Sequence, residues 1–244
     1  MNELQYLEDF QQALQNYQLS PDALQTVAQV KIIGLLGPTG GGRSTIIKQL
    51  LKTQPYYFIV SDTTRQPRSN DGIMEQDGRE YWFRSETDML HDIQAGKLLE
   101  AEVIHNQQVS GISMRELGNA LAADKTAIVD ADVQGVQNIL RLKPSAIAVL
   151  ILPPSFAEWQ QRLNGRGNLP AEELKRRLQT AVTIFELGLQ DTRFHLLVND
   201  NYIAAAKHLN DLASGTLPDG AATAAARQLC QQLLVDTQAH LASL

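Results

Sequence analysis

Four glycines, Gly37, Gly40, Gly41 and Gly42, fall within six residues and run directly into Arg43, Ser44 and Thr45. Glycine at this density lets the backbone curve tightly, so that successive N–H groups converge on one point, a geometry that suits phosphate oxygens. A helix beginning at Arg43 would add its positive end to the same point. The stretch Gly37-Pro38-Thr39-Gly40-Gly41-Gly42-Arg43-Ser44-Thr45 fits the nucleotide-binding pattern G-x-x-x-x-G-K-[ST] except at Arg43, where the pattern has lysine. Ser44 offers a hydroxyl suited to Mg²⁺. Arginine keeps the charge and binds phosphate through a planar fork, but it is longer than lysine. Impaired transfer and a tolerated substitution are both compatible with it. A glycine-rich turn without a ligand is the plain alternative; the order of strand, loop, serine and helix argues against it.

A second cluster lies in Ser61-Asp-Thr-Thr-Arg-Gln-Pro-Arg68. Arg65 and Arg68 stand three positions apart, and Pro67 stiffens the turn between them. They follow an apolar strand, and ligands of open α/β sheets bind outside the carboxyl ends of strands. A dianionic phosphate would suit the pair; a solvated surface pair is the competing reading.

The elements that must position these groups follow from apolar periodicity. Ile32–Leu36, Tyr57–Ser61, Ala127–Asp130, Ala146–Leu152 and Phe194–Val198 read as strands. A further short strand is expected at Tyr81–Phe83. Helices are expected at Arg43–Lys52, Glu86–Ala95, Met114–Ala123, Val133–Leu140, Phe156–Leu163, Pro170–Leu189 and Tyr202–Leu212. Strands alternating with helices imply a mostly parallel sheet covered on both faces. Residues 62–80, rich in polar and turn residues, read as an exposed or binding loop. Residues 1–30 form a helical extension, with Ser20-Pro21 a favourable helix start. Residues 215–220 are a linker before a terminal helix from Ala221 to Leu244. The stripe Leu229, Leu233, Leu234, Leu241 and Leu244 is read as core packing, with a homodimer contact as the alternative.

The formal net charge of −6 argues against a general nucleic-acid binder. The single cysteine, Cys230, rules out an intrachain disulfide and is expected to be buried on a late helix. The polar, acidic start and the lack of an apolar run of about 18 residues give no sign of a signal peptide or a membrane span. A cytoplasmic protein is the default expectation. The five histidines show no metal-ligand spacing, and His105 reads as a surface or packing residue.

Over about residues 31–213 the chain resembles guanylate kinases. Besides the loop and the Ser61–Arg68 stretch, the resemblance rests on Gly78-Arg-Glu-Tyr-Trp-Phe83, Leu98-Leu-Glu100 and Ile128-Val-Asp-Ala-Asp-Val-Gln-Gly135. Leu152-Pro-Pro-Ser155, Arg162-Leu-Asn-Gly-Arg-Gly167 and Val198-Asn-Asp200 complete it. It implies a three-layer α/β fold of the P-loop NTP hydrolase type, with a parallel central sheet, a small acceptor-binding insert at about 62–112 and a lid at about 155–177. Residues 214–244 then form a C-terminal extension.

The implied reaction is GMP + ATP to GDP + ADP with Mg²⁺. A nucleotide-binding protein with weak or no turnover is the second reading, and a kinase for another phosphorylated acceptor the third. Ser61, Arg65, Arg68 and Tyr81 match residues that hold the GMP phosphate. Glu100 matches the carboxylate that accepts from guanine N1 and N2, and Asp132 a second acid near the base. Asp130 lies in the Mg²⁺ and phosphate region; capping of the next helix is the plain reading of Asp130 and Asp132. Arg162 and Arg166 match lid arginines, Arg177 another arginine near the phosphates, and Asn199 a residue near adenine.

The chain departs from this pattern at Arg43 and again after Glu100. Where the family has Tyr-Gly-Thr or Tyr-Gly-Ser, alignment on Gly111 puts Ser110 at the tyrosine and Ile112 at the hydroxyl residue, with Ser113 the nearest hydroxyl. The family often has a glutamate near Ile184, where the nearest here is Glu186.

Overall fold

A computed structural model describes residues 3–52, 55–70, 72–165 and 170–244. In chain order the elements are α1 (Leu7–Gln15), α2 (Pro21–Gln29), β1 (Ile32–Leu36), α3 (Arg43–Leu50), β2 (Tyr56–Phe58), β3 (Asp62–Thr63), β4 (Ser69–Asn70) and β5 (Ile73–Met74). There follow β6 (Trp82–Phe83), α4 (Glu86–Gln94), β7 (Leu98–Ile104), β8 (Gln108–Ser113), α5 (Met114–Ala122), β9 (Thr126–Asp130) and α6 (Val133–Leu142). The last are β10 (Ile147–Leu152), α7 (Phe156–Asn164), α8 (Ala171–Gln190), β11 (Phe194–Val198), α9 (Tyr202–Ala213) and α10 (Gly220–Ser243).

The fold is a three-layer α/β arrangement on a parallel sheet with strand order β11-β10-β1-β9-β2. All five residues of β1 are buried, as strands covered on both faces require. β1 pairs in parallel with β10 from Ile33↔Ile147 to Leu36↔Leu150, and β10 with β11 from Ala148↔Phe194 to Leu152↔Val198. Side-chain caps start many of the helices: Ser20, Ser85, Asp132, Ser155, Asn201 and Asp219 each accept from a first-turn N–H. Such a cap stabilises its helix by about 1 kcal/mol.

The chain divides into two compact units: one from residues up to Lys31 with Tyr57–Val129, the other from Ile32–Tyr56 with Asp130–Leu244. The second unit holds the phosphate loop. Its α10 packs on α8, burying Ala226, Cys230, Leu233, Leu234 and Thr237. Leu233 and Leu234 are therefore core residues, whereas Leu244 is exposed. The Cys230 thiol is pushed up to about 12 by burial. Among the described residues no helix is long and apolar enough to cross a membrane.

The first unit contains strands that periodicity did not disclose. Within the stretch read as a loop, β3 is fully buried, and β4 pairs with β5. β3 lies parallel to β6 and antiparallel to β8, and β8 pairs antiparallel with β7, giving the order β6-β3-β8-β7. The β7–β8 turn is His105-Asn106-Gln107, and its first two residues are left-handed at φ 53° and 56°, a conformation that favours glycine. His105 is exposed there, a surface residue. The N-terminal helices pack into this unit, α1 on α4 and β7, and α2 on α5.

Gly96 has φ +65°, and a Cβ there would lie 2.5 Å from the Ser20 nitrogen and 2.7 Å from the Gln18 carbonyl oxygen. Gly96→Ala is therefore expected to destabilise the chain by more than about 1 kcal/mol, since both the backbone conformation and the contact oppose a side chain. Urea denaturation measures this, and an unchanged midpoint would refute the tight packing of residues 18–20 on Gly96.

Candidate active site

Gly37 follows β1, and the loop turns into α3 through Gly42, the N-cap, at φ +97°. The carbonyls of the loop are held one after another. Gly41 N–H donates to the Pro38 oxygen at 2.9 Å. The Trp159 indole donates to the Thr39 oxygen at 2.8 Å, and the Asn199 amide to the Gly41 oxygen at 2.8 Å. Thr45 and Ile46 N–H groups both donate to the Gly42 oxygen at 3.1 Å. The first N–H groups of a helix have no acceptor inside it, so those of Arg43 and Ser44 remain for a ligand. The loop is thus built to present donors, and the Ser44 and Thr45 residues are exposed at its end.

The groups that hold the loop come from α7 and from the end of β11. Trp159 is fully buried, with Phe156 and Phe185 edge-on to its ring at 5.9 and 5.8 Å. Asn199 is buried too, and its own carbonyl accepts from Arg162 Nη2 at 3.1 Å. Beside the loop lies a groove of about 260 Å³ whose lining includes Gly40, Gly42, Arg162, Asn199, Asp200 and Tyr202. Tyr202, 41 % exposed, gives this groove an aromatic face suited to a planar base.

Arg43 is turned toward the end of β9. Its Nη1 lies 2.7 Å from Asp130 Oδ1 and donates to the Ala131 oxygen at 3.3 Å. The contact with Asp130 is ionic without a directed hydrogen bond, and Asp130 Oδ1 is buried without a hydrogen-bond partner. Burial pushes the Asp130 carboxyl above the usual range, opposed by Arg43. A carboxylate oxygen that meets the Arg43 charge but takes no directed hydrogen bond fits a cation. Asp132 is the N-cap of α6, its Oδ1 accepting from Gly135 N–H at 2.8 Å, so the capping role holds; a carboxylate keeps a second oxygen for other donors. Arg177 is paired with Glu173 at 2.7 Å. Arg166 lies outside the described residues.

Apart from Asp132, the residues expected on the acceptor side belong to the first unit. Arg65, 8 % exposed, makes a two-pronged pair with Glu75, with Nη2 to Oε1 at 2.9 Å and Nη1 to Oε2 at 2.5 Å. Its guanidinium stands 4.6 Å from the Tyr81 ring centroid. Arg68 N–H donates to the same Glu75 carboxylate at 2.9 Å. Arg65, Arg68 and Tyr81 are therefore gathered around Glu75. Ser61 is tied to β6, its carbonyl accepting from Trp82 N–H at 2.9 Å.

Next to Ser61, Asp62 is fully buried and takes Arg84 Nη1 at 2.7 Å and Arg115 Nη2 at 2.8 Å. Burial pushes its carboxyl up, and the two arginines oppose the shift. This network, which fixes β3, was not foreseen from sequence. Glu100 stands on β7 opposite Ile112, which is buried and offers no hydroxyl. Ser110 Oγ donates to Thr63 Oγ1 at 2.9 Å. Ser113 is buried opposite Leu98, not opposite Glu100.

Trp159→Phe keeps the ring packing and removes the donor to Thr39. It is expected to weaken ATP binding on the order of tenfold or less, the worth of one hydrogen bond of about 1 kcal/mol. Calorimetric titration with ATP tests this, and unchanged affinity would show that the loop keeps its shape without the indole.

Comparison with known proteins bears on the same residues. The family model described as guanylate kinase matches residues 29–214. Guanylate kinase of Corynebacterium jeikeium is 34% identical over 184 residues, covering 75% of the chain and 95% of the relative. Guanylate kinase 1 of Oryza sativa subsp. japonica is 35% identical over 187 residues, covering 75% of the chain and 48% of the relative. The crystal structure of guanylate kinase from Anaplasma phagocytophilum aligns with TM-score 0.55 at 17% identity, covering 79% of the chain and 89% of that structure, a likeness of fold. The family match leaves α1, nearly all of α2, and α10 outside it, and it spans every residue of the loop and of the Glu75 cluster: the chain belongs to the guanylate kinase family.

Proposed function

We propose that the chain transfers the γ-phosphoryl group of MgATP to GMP, giving ADP and GDP. The observation that carries this reading is the phosphate loop whose carbonyls at Pro38, Thr39, Gly41 and Gly42 are all engaged, leaving the Arg43 and Ser44 N–H groups at the start of α3 for a polyanion. A phosphate oxygen of GMP attacks the γ-phosphorus as the bond to the β–γ bridging oxygen breaks. No protein nucleophile is needed; alignment and charge neutralisation supply the catalysis.

In this reading the loop and Thr45 hold the triphosphate, and Arg162, Asn199 and Tyr202 flank the adenosine. Ser44 and Asp130 hold the Mg²⁺ that arrives with ATP. Arg43, Arg162, Arg166 and Arg177 neutralise the transferring group, once Arg43 and Arg177 leave their carboxylate partners. Ser61, Arg65, Arg68 and Tyr81 bind the acceptor phosphate, and Glu100 and Asp132 accept from guanine. The Arg43–Asp130 contact favours a second reading, a nucleotide-binding protein with little turnover, because the arginine is drawn to a carboxylate that the cation also needs.

The deciding experiment measures ADP formation from MgATP with GMP, dGMP, AMP, UMP and CMP at near-stoichiometric enzyme. GMP-dependent turnover is expected. Binding of ATP and GMP without product would establish the second reading, and faster turnover with another acceptor would overturn the choice of GMP. Arg43→Lys is expected to raise kcat with a smaller change in ATP affinity, since lysine frees Asp130 from the planar fork. An unchanged or lower kcat would exclude arginine geometry as the limit on transfer.

A further inference from the structure

The N-terminal segment, almost all of it outside the family match, is joined to one strand at three places. Ser20 N–H donates to the Gly96 oxygen at 3.0 Å, just before β7. The Tyr17 hydroxyl takes both outward groups of Leu98, accepting from its N–H at 2.8 Å and donating to its carbonyl. Leu4 N–H donates to the Asn106 oxygen at 2.9 Å, in the turn that ends β7. Among the described residues β7 is one of the two edge strands of its sheet, and an edge strand has backbone groups that no neighbouring strand satisfies. The tyrosine hydroxyl stands in for that neighbour at Leu98.

Packing follows the same line. Leu4 and Phe10 share one buried cluster with Met89, Ile93, Leu98 and Val109. The ladder of β7 is irregular between Leu98 and Glu100, the place where a strand is least held by its own pairing. Glu100 lies between two anchored points, two residues after Leu98 and six before Asn106.

We propose that the N-terminal segment is a clamp on β7 that sets the position of Glu100, with Tyr17 as its positioning residue, so that acceptor-base recognition depends on it. This rests on the reading of Glu100 as the group that accepts from the base. Tyr17 touches no substrate and acts through Leu98.

The test compares calorimetric binding of GMP, and separately of ATP, to the full chain, to Tyr17→Phe and to Glu100→Ala. Tyr17→Phe keeps the ring, removes both hydrogen bonds to Leu98 and is expected to weaken GMP on the order of three- to tenfold, with ATP affinity held within about twofold. Unchanged GMP affinity in Tyr17→Phe alongside weakened GMP in Glu100→Ala would overturn the clamp alone. Unchanged GMP affinity in Glu100→Ala would overturn the reading of Glu100 and the clamp with it. Equal losses for GMP and ATP in Tyr17→Phe would mark a general stabilising role and overturn the proposal. If Tyr17→Phe does not fold, hydrogen exchange in the unaltered chain reads the same coupling. GMP, and not ATP, is then expected to slow exchange of the Leu98 amide, and an unchanged rate would refute the clamp.

Discussion

A loop can aim its N–H groups at a ligand only if something else takes its carbonyls, since each peptide carries one of each and they point in opposed directions. Here the carbonyls at 38, 39, 41 and 42 are taken by the loop itself, by Trp159 and Asn199, and by the first turn of α3. The parallel register of β1, β10 and β11 is what delivers two of these donors. α7 follows β10 after three residues, and Asn199 is the first residue after β11. Sheet, helix caps and glycine conformations all serve this one requirement.

The second recurring device is electrostatic. Three of the arginines proposed to meet phosphates are held on carboxylates: Arg43 on Asp130, Arg65 on Glu75, Arg177 on Glu173. Such pairs give a chain of net charge −6 a set of ordered guanidinium groups without leaving bare positive charge in the fold. They also set a condition on binding, because an incoming phosphate must offer more than the carboxylate it displaces. For Arg65 the competing carboxylate is buried with it, and a buried pair is expensive to break.

Much of the second unit was legible in the sequence. Its strands are continuous apolar runs, and the glycine spacing of the loop has few other uses. The first unit was less so. The short strand expected at Tyr81–Phe83 is β6, but β3, β4 and β5 are two residues each, too short for any period to emerge. β7 and β8 are joined by His105-Asn106-Gln107, which has no glycine to mark a turn. Glu75 takes Arg65 across the β4–β5 pair, ten residues away in a stretch whose composition says only loop. Trp159 lies within the helix expected at Phe156–Leu163, but a hydrogen bond from a buried indole leaves no trace in periodicity. Tyr17 was hidden for a similar reason: its partner is backbone, which carries no residue identity.

The chain has two tryptophans, and they fall one to each unit. Trp159 is sealed from water and bound to the phosphate loop. Trp82 is partly exposed, with the Arg115 guanidinium 4.8 Å over its ring. An indole shielded from water emits at shorter wavelength than a wetted one, and a cation over the ring shifts and quenches the emission. Excited beyond the absorption of the tyrosines, the fluorescence of this protein is expected to be the sum of these two indole signals. One reports on the loop and the other on the first unit, without any label attached.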